Sequence, residues 1–335
     1  MVFARQFSIG NITFSSPVIL APMSGITDFP FREIVRSFGV GLVFSEMTAS
    51  RAVIESLKNL KVRKRLHFFD ATKEKHPIAI QIVGCDPDIM VTAAKFNEQC
   101  GANIIDINMG CPVKKVVNTY SGAALMKNEI LAGKIIEAVV KAVSIPVTVK
   151  MRLGWDSENL NAANIAKIAE NSGAQCITVH GRTRSQFYEG AADWKAIRAI
   201  KESIKIPLIG NGDVYAPQDA EQLLQDSGAD AVMVGRGTFG RPWLCKKIAD
   251  YLPTNIVSDY FKSINLIHII RKHIQMIIEE YGEIKGIFIA RKHLGWYSKG
   301  IQNSANFRQA VNKLEKYKDL EFIIEDFFGN LPCEN

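Results

Sequence analysis

The chain has 335 residues, 47% hydrophobic and 22% charged, with a net charge of +7 and a sequence pI of about 9.0. No apolar run reaches the ~18–20 residues of a membrane span, the first residues lack signal-peptide architecture, and the six cysteines form no CxxC pair, which argues against a zinc site. The composition therefore predicts a cytoplasmic monomer with reduced thiols, no membrane segment and no bound metal, built as one large domain plus a smaller one. Its basic balance leans toward a polyanionic partner.

Eight apolar runs recur along the first 235 residues or so. In order they are PVILAPMSG from Pro17, VGLVFSEM from Val40, HPIAIQIVG from His76, CGANIIDI from Cys100, IPVTVKMRLG from Ile145, SGAQCITVHG from Ser172, IPLIGNGDV from Ile206 and SGADAVMVGRG from Ser227. Three open on Pro, which loses no ladder hydrogen bond at a strand entrance. Three open on Gly-Ala after a helical stretch, where Gly suits a left-handed helix cap. Segments such as SGAALMKNEILAGKIIEAVVKAV and APQDAEQLLQDSG supply helices between the strands. Alternating strands and helices imply parallel strands with helical crossovers, and near-continuous apolar strands imply a sheet covered on both faces. Eight such units fit a (β/α)8 TIM barrel over residues 1–250. An open doubly wound sheet is the rival, weakened because no GxGxxG follows the first strand. From about residue 251 to 335 the strand pattern stops. SINLIHIIRKHIQMIIEEYG, IKGIFIARKHLGWYSKG and FRQAVNKLEKYKDLEFIIEDFF have helical periodicity and predict a small all-helical domain.

In such barrels chemistry gathers at the carboxyl ends of the strands. Here those ends read Pro22-Met23-Ser24, Ser45-Glu46-Met47, Gln81, Asn108-Met109-Gly110-Cys111, Lys150-Met151-Arg152, His180-Gly181-Arg182, Asn211-Gly212-Asp213 and Gly235-Arg236-Gly237. The last two suit a phosphate cup, with exposed backbone N–H groups and the charge of Arg236. A cup together with Gln81 and Lys150 points to flavin mononucleotide, because a reduced flavin carries negative charge that a lysine offsets. Each residue also has a plainer reading. Lys150 suits a Schiff base or a solvated rim, Gln81 a partner for loop backbone, His180 a packed core histidine, and Cys111 small packing material.

The motifs together resemble the tRNA-dihydrouridine synthases, closest to the bacterial B-type branch. The matching stretches are APMSGITDFPFR from Ala21, DINMGCPVKKV from Asp106, TVKMRLGWD from Thr148, TVHGRTRSQFYEGAADW from Thr178, IGNGDV from Ile209, VMVGRG from Val232 and ARKHLGWYSKG from Ala290. The resemblance implies reduction of the C5=C6 bond of particular tRNA uridines by FMN, with NADPH or NADH as reductant. It implies that Pro22, Met23 and Ser24 contact the flavin and that Gln81 and Lys150 hold its ring. His180, Asn211, Gly212, Asp213, Gly235 and Arg236 would hold its phosphate end. Cys111 would be the catalytic acid and Asn108 a uracil partner, with Arg152, Arg182 and Arg184 on the substrate side. A thiol suits that acid, being mostly protonated near pH 7 and still a competent donor. The chain departs from the familiar pattern at Ser24, and at Asn118 and Tyr120, where a basic residue and a glycine are usual.

The helical tail carries Lys262, Arg271, Lys272, Lys285, Arg291, Lys292 and Lys299. For most of these a solvated helix face is the plainer reading. RKHLGWYSKG mixes cations, histidine and aromatics, a composition that suits phosphate contact with base stacking, and Arg291 and Lys292 are its expected tRNA contacts. A barrel oxidoreductase acting on a small pyrimidine or enoate is the competing reading, and a non-catalytic RNA-binding barrel is a third.

Overall fold

A short antiparallel hairpin comes first, β1 (Phe7–Ile9) and β2 (Ile12–Phe14). The computed structural model describes residues 6–59, 73–75, 77–258 and 265–329; Lys262 and Cys333 lie outside these. The eight apolar runs then form β3 (Val18–Leu20), β4 (Leu42–Phe44), β6 (Ile78–Val83), β7 (Ile104–Met109), β8 (Val147–Arg152), β9 (Cys176–His180), β10 (Leu208–Asn211) and β11 (Ala231–Val234). A two-residue strand, β5 (Thr48–Ala49), extends the edge of β6. Every barrel strand pairs in parallel with its sequence neighbour, and β11 pairs with β3 to close the ring. The chain is thus the TIM barrel that its strand count predicts.

Between the strands run α1 (Phe29–Arg36), α2 (Ser50–Lys58), α3 (Pro87–Gln99), α4 (Lys114–Val117), α5 (Glu129–Ala142), α6 (Ala162–Asn171), α7 (Trp194–Glu202), α8 (Pro217–Ser227) and α9 (Leu244–Tyr251). Local chemistry sets their ends. The Asp28 carboxylate caps α1 through the Phe31 N–H at 3.1 Å, and Asp86 caps α3 ahead of a proline. The glycines of the three Gly-Ala phrases, Gly101, Gly173 and Gly228, all have positive φ, as left-handed caps require.

Strand periodicity divides two cores and aims the polar groups. Ile105, Ile107, Met109, Val147, Val149 and Met151 face the helices. Their alternates face the barrel axis, where Ile104, Cys176, Ile209 and Met233 pack with Phe7, Ile9 and Phe14 of the hairpin. The hairpin therefore fills the amino-terminal end of the barrel, and polar inward residues rise toward the other end.

After α9 come α10 (Leu266–Tyr281), α11 (Glu283–Tyr297), α12 (Ser304–Val311) and α13 (Tyr317–Phe328). They share a core of their own around Ile274, Ile287, Leu294, Phe307, Leu320 and Ile324. This group docks on the barrel through α1. The Phe31 ring lies 5.6 Å from His273 and 5.5 Å from His293, both buried. Beside them, Trp296 stacks on Phe239 at 4.1 Å.

Candidate active site

A cavity of about 400 Å³ opens at the carboxyl ends of the strands, within the usual range for small-molecule and cofactor sites. It brings together Pro22, Met23, Ser24, Gln81, Asn108, Cys111, Lys150, Arg152, His180, Asn211, Gly212, Asp213, Gly235 and Arg236. Residues distant in sequence meet here because each stands on the inward phase of its strand or just past its end.

The floor is cationic. Lys150 donates to Asn211 Oδ1 at 3.1 Å, and burial, with Arg152 nearby, lowers its pKa to about 8. Arg152 is buried and its guanidinium bonds three backbone carbonyls: Gly110 at 2.8 Å, Thr183 at 2.8 Å and Phe187 at 2.9 Å. It clamps the loops beyond β7 and β9 and presents little to a substrate. Beside it, Cys111 is partly buried, and that burial raises its thiol pKa, against the opposing pull of Arg152 and Lys150. The turn carrying Cys111 is held by Asn108, whose Oδ1 accepts the N–H groups of Gly110 at 3.1 Å and Cys111 at 2.9 Å. Gly122 packs behind that turn, where a Cβ would come within 2.9 Å of the Cys111 carbonyl oxygen. Tyr120 precedes it with φ 55, the left-handed conformation that a glycine at this position would adopt more easily.

Across the cavity, β10 and β11 end in the expected cup. Gly212 passes so close to α7 and β9 that a Cβ would meet Ala192 at 2.7 Å and His180 at 3.1 Å. Asp213 accepts from the Arg182 guanidinium, from the Ala192 N–H at 2.8 Å and from Arg236 at 3.0 Å. Those cations hold its carboxyl below the usual range against the opposing effect of burial. Arg236 is left partly exposed in the cavity, 4.6 Å over the ring of Tyr188. His180 is buried among four cations, which together with burial hold its pKa well down and leave it neutral.

Four expected substrate contacts lie outside the cavity. Arg182 is 1% exposed and spends its guanidinium on Asp213 and on the carbonyls of Glu189 and Gly190. It braces the cup and is turned away from any phosphate. Arg184 stays on the rim, stacked 4.5 Å over Trp155 and 5.4 Å over Phe187, with Lys127 on Trp155 at 4.7 Å. Arg291 bonds the Leu314 carbonyl and lies over Phe288. Lys292 reaches across to the Gly25 carbonyl oxygen in the loop after β3. The RKHLGWYSKG stretch is mostly an internal docking surface. His293 and Tyr297 are buried, and Trp296 is stacked against the barrel. Its aromatic residues are already engaged, which corrects the expectation that they face RNA.

Sequence reasoning missed Tyr188, Phe239 and Tyr215, which also line the cavity. Tyr188 had a signal, an aromatic set just past two arginines. Asp106 was missed too. It is a fully buried acid beneath the floor, and burial raises its pKa to about 7.

A closed parallel barrel with a cationic cavity at the carboxyl ends of its strands has the layout of a barrel enzyme. The chain belongs to the dihydrouridine synthase family, described as Dihydrouridine synthase (Dus), which matches residues 19–330. It is 53% identical over 331 residues to the "Probable tRNA-dihydrouridine synthase" of Rickettsia conorii, covering 98% of each chain. It is 44% identical to the "tRNA-dihydrouridine synthase B" of Xanthomonas campestris pv. campestris, covering 96% of each. Among solved structures, histamine dehydrogenase from Rhizobium sp. 4-9 matches with TM-score 0.57 at 15% identity. That match covers 82% of this chain and 51% of the other, and it concerns the fold alone.

Proposed function

We propose that this chain reduces the C5=C6 bond of particular tRNA uridines to dihydrouridine, with FMN in the cavity and Cys111 as the proton donor. FMN held there would supply the hydride for uracil C6, and NADPH or NADH would restore it. The cavity suits such a group: it offers a buried cation in Lys150 and a second cation, Arg236, at the cup. The Gly212 backbone lies too close to its neighbours for a side chain.

Pro22, Met23, Ser24, Gln81 and Lys150 are the proposed ring contacts, and His180, 211–213, Gly235 and Arg236 the proposed phosphate contacts. Neutral His180 would offer a hydrogen bond without adding charge. Adding hydride at C6 leaves an electron pair at C5, so the residue beside it must release a proton. The Cys111 thiol is suited to that step because burial keeps it protonated. It gives its proton to C5, and solvent reprotonates the thiolate. Asn108 is the proposed uracil partner, and the Arg184 rim the proposed grip on flanking RNA. A uridine stacked in folded RNA must be extruded to reach a cavity of this kind. We further propose that residues 1–250 form the catalytic unit and 251–335 the tRNA-binding unit.

The observation that carries this reading is the placement of Cys111, Asn108 and Lys150 around one cavity, opposite a phosphate cup. The test is Cys111→Ala. Dihydrouridine formation is expected to drop by about 10²–10⁴-fold, the usual worth of general acid catalysis. Flavin content and NADPH oxidation by the flavin should stay near wild type. Dihydrouridine made at the wild-type rate would falsify the assignment.

A further inference from the structure

Beneath Cys111 a single file of hydrogen bonds descends into the barrel. The N–H groups of Cys111 and Gly110 donate to Asn108 Oδ1 at 2.9 and 3.1 Å. Asn108 Nδ2 donates to Gln81 Oε1 at 2.8 Å. Gln81 Nε2 donates to Asp106 Oδ2 at 2.7 Å, and Thr148 Oγ1 donates to Asp106 Oδ1 at 2.6 Å. Asp106, Gln81 and Asn108 are 0%, 1% and 7% exposed, so solvent offers them little alternative. The strand registers set Gln81 opposite Asp106 and Asp106 opposite Thr148.

The direction of this file is fixed from both ends. Backbone N–H groups can only donate, so Asn108 must turn its oxygen up and its nitrogen down. Gln81 must then turn its oxygen toward Asn108 and its nitrogen toward position 106. Position 106 must accept, and an ionised carboxylate does nothing else. We propose that Asp106 is a positioning residue for Cys111, an acceptor at the base of the file that orients two successive amides and holds the backbone of the proton-donating turn. The catalytic part of this inference rests on the proposed role of Cys111; the anchoring part does not.

The test compares Asp106→Asn with Asp106→Leu in the holoprotein as purified. Asparagine keeps an oxygen for Gln81 and can turn its nitrogen to the Thr148 hydroxyl, so the direction survives without the charge. Leucine removes the acceptor. Hydrogen exchange at the Gly110 and Cys111 amides is the direct readout. Exchange should speed up about tenfold in Asp106→Leu, the loss of roughly one hydrogen bond, and stay near wild type in Asp106→Asn. Turnover should follow exchange, with kcat lowered in Asp106→Leu and KM for tRNA unchanged. Equal disturbance by both variants would overturn the proposal, since charge rather than acceptance would then be what matters. So would unchanged exchange in Asp106→Leu.

A second arm holds if the leucine variant does not fold. Gln81→Glu sets two carboxylates face to face and should loosen the turn. Adding Asp106→Asn supplies a donor to the new carboxylate and should restore protection, and failure to restore it would count against the file. Should Cys111→Ala prove fully active while Asp106→Leu still loosens the turn, the proton-donor reading fails and the anchor stands.

Discussion

Acid should undock the C-terminal helices from the barrel, and His273 allows the effect to be sized. Its ring is fully buried between Phe31, His293 and Tyr297, with Nδ1 3.0 Å from the Tyr297 hydroxyl. Its Nε2 is buried without a hydrogen-bond partner. Burial, reinforced by Lys292, lowers its pKa from 6.5 to about 3. The neutral ring is therefore the native form, and below pH 6.5 the unfolded chain binds a proton that the folded chain refuses. Stability is full above the unfolded value and drains away as pH falls toward about 3. At about pH 5 the loss from His273 alone comes to ~2 kcal/mol, from 1.36 kcal/mol per unit over about 1.5 units. His293 is shifted the same way and adds to it. His273→Phe keeps a ring in place and removes the titration. The variant should be weaker near neutrality by about 1–3 kcal/mol, because the Tyr297 hydroxyl loses its partner. Its further loss between about pH 7.5 and 5 should be smaller than that of the wild type by ~2 kcal/mol. Urea unfolding followed by tryptophan fluorescence measures both, since Trp243 and Trp296 report on this region. Equal losses in the two proteins would show that His273 does not resist protonation, and the argument from its burial would fail.

Lys150→Met should weaken flavin retention, read from absorbance after dialysis. In the wild type, retention should decline as pH rises through about 8, where Lys150 gives up its charge, and Lys150→Arg should move that decline upward. Arg182→Met leaves the carboxylate of Asp213 short of its buried partner and should cost about 3 kcal/mol in thermal unfolding; a loss below ~1 kcal/mol would mean the pair contributes little. For tRNA affinity titrated against salt, Arg184→Ala should reduce the log–log slope by about 0.7–0.9, one phosphate contact. Arg291→Ala should leave the slope alone, because that guanidinium is already held by the Leu314 carbonyl and the Phe288 ring. The reverse pattern would move the grip from the rim to the helices.

The barrel was legible because its information is local. Apolar runs of strand length, a proline at the entrance and a glycine at the preceding helix end all read within ten residues. Strand ends could then be set side by side, and Gln81, Asn108, Cys111, Lys150, His180 and Asn211 do share one cavity. What stayed hidden depended on partners far along the chain. Arg182 looks like an anion grip until Asp213 arrives from 31 residues away. Lys292 looks solvated until Gly25 comes up from 267 residues away. The cations and aromatics of RKHLGWYSKG have the same composition whether they dock on a barrel or meet a nucleic acid, and only the placement of α1 and Phe239 decides. Asp106 was concealed by its apolar neighbours, since one acid in a buried run reads as a flaw in the pattern rather than as a feature.

The junction between barrel and helices also bears on how relatives of this protein can be recombined. Chain order suggests a cut near residue 250, between α9 and α10. The physical seam runs elsewhere, through Phe31 against the histidine pair, the loop at Gly25 under Lys292, and Phe239 beneath Trp296. A chimera joined at the linear boundary would set foreign helices on a socket shaped for these. Grafting the helices with Phe31, the Gly25 loop and Phe239 of their own parent would transplant a matched plug and socket.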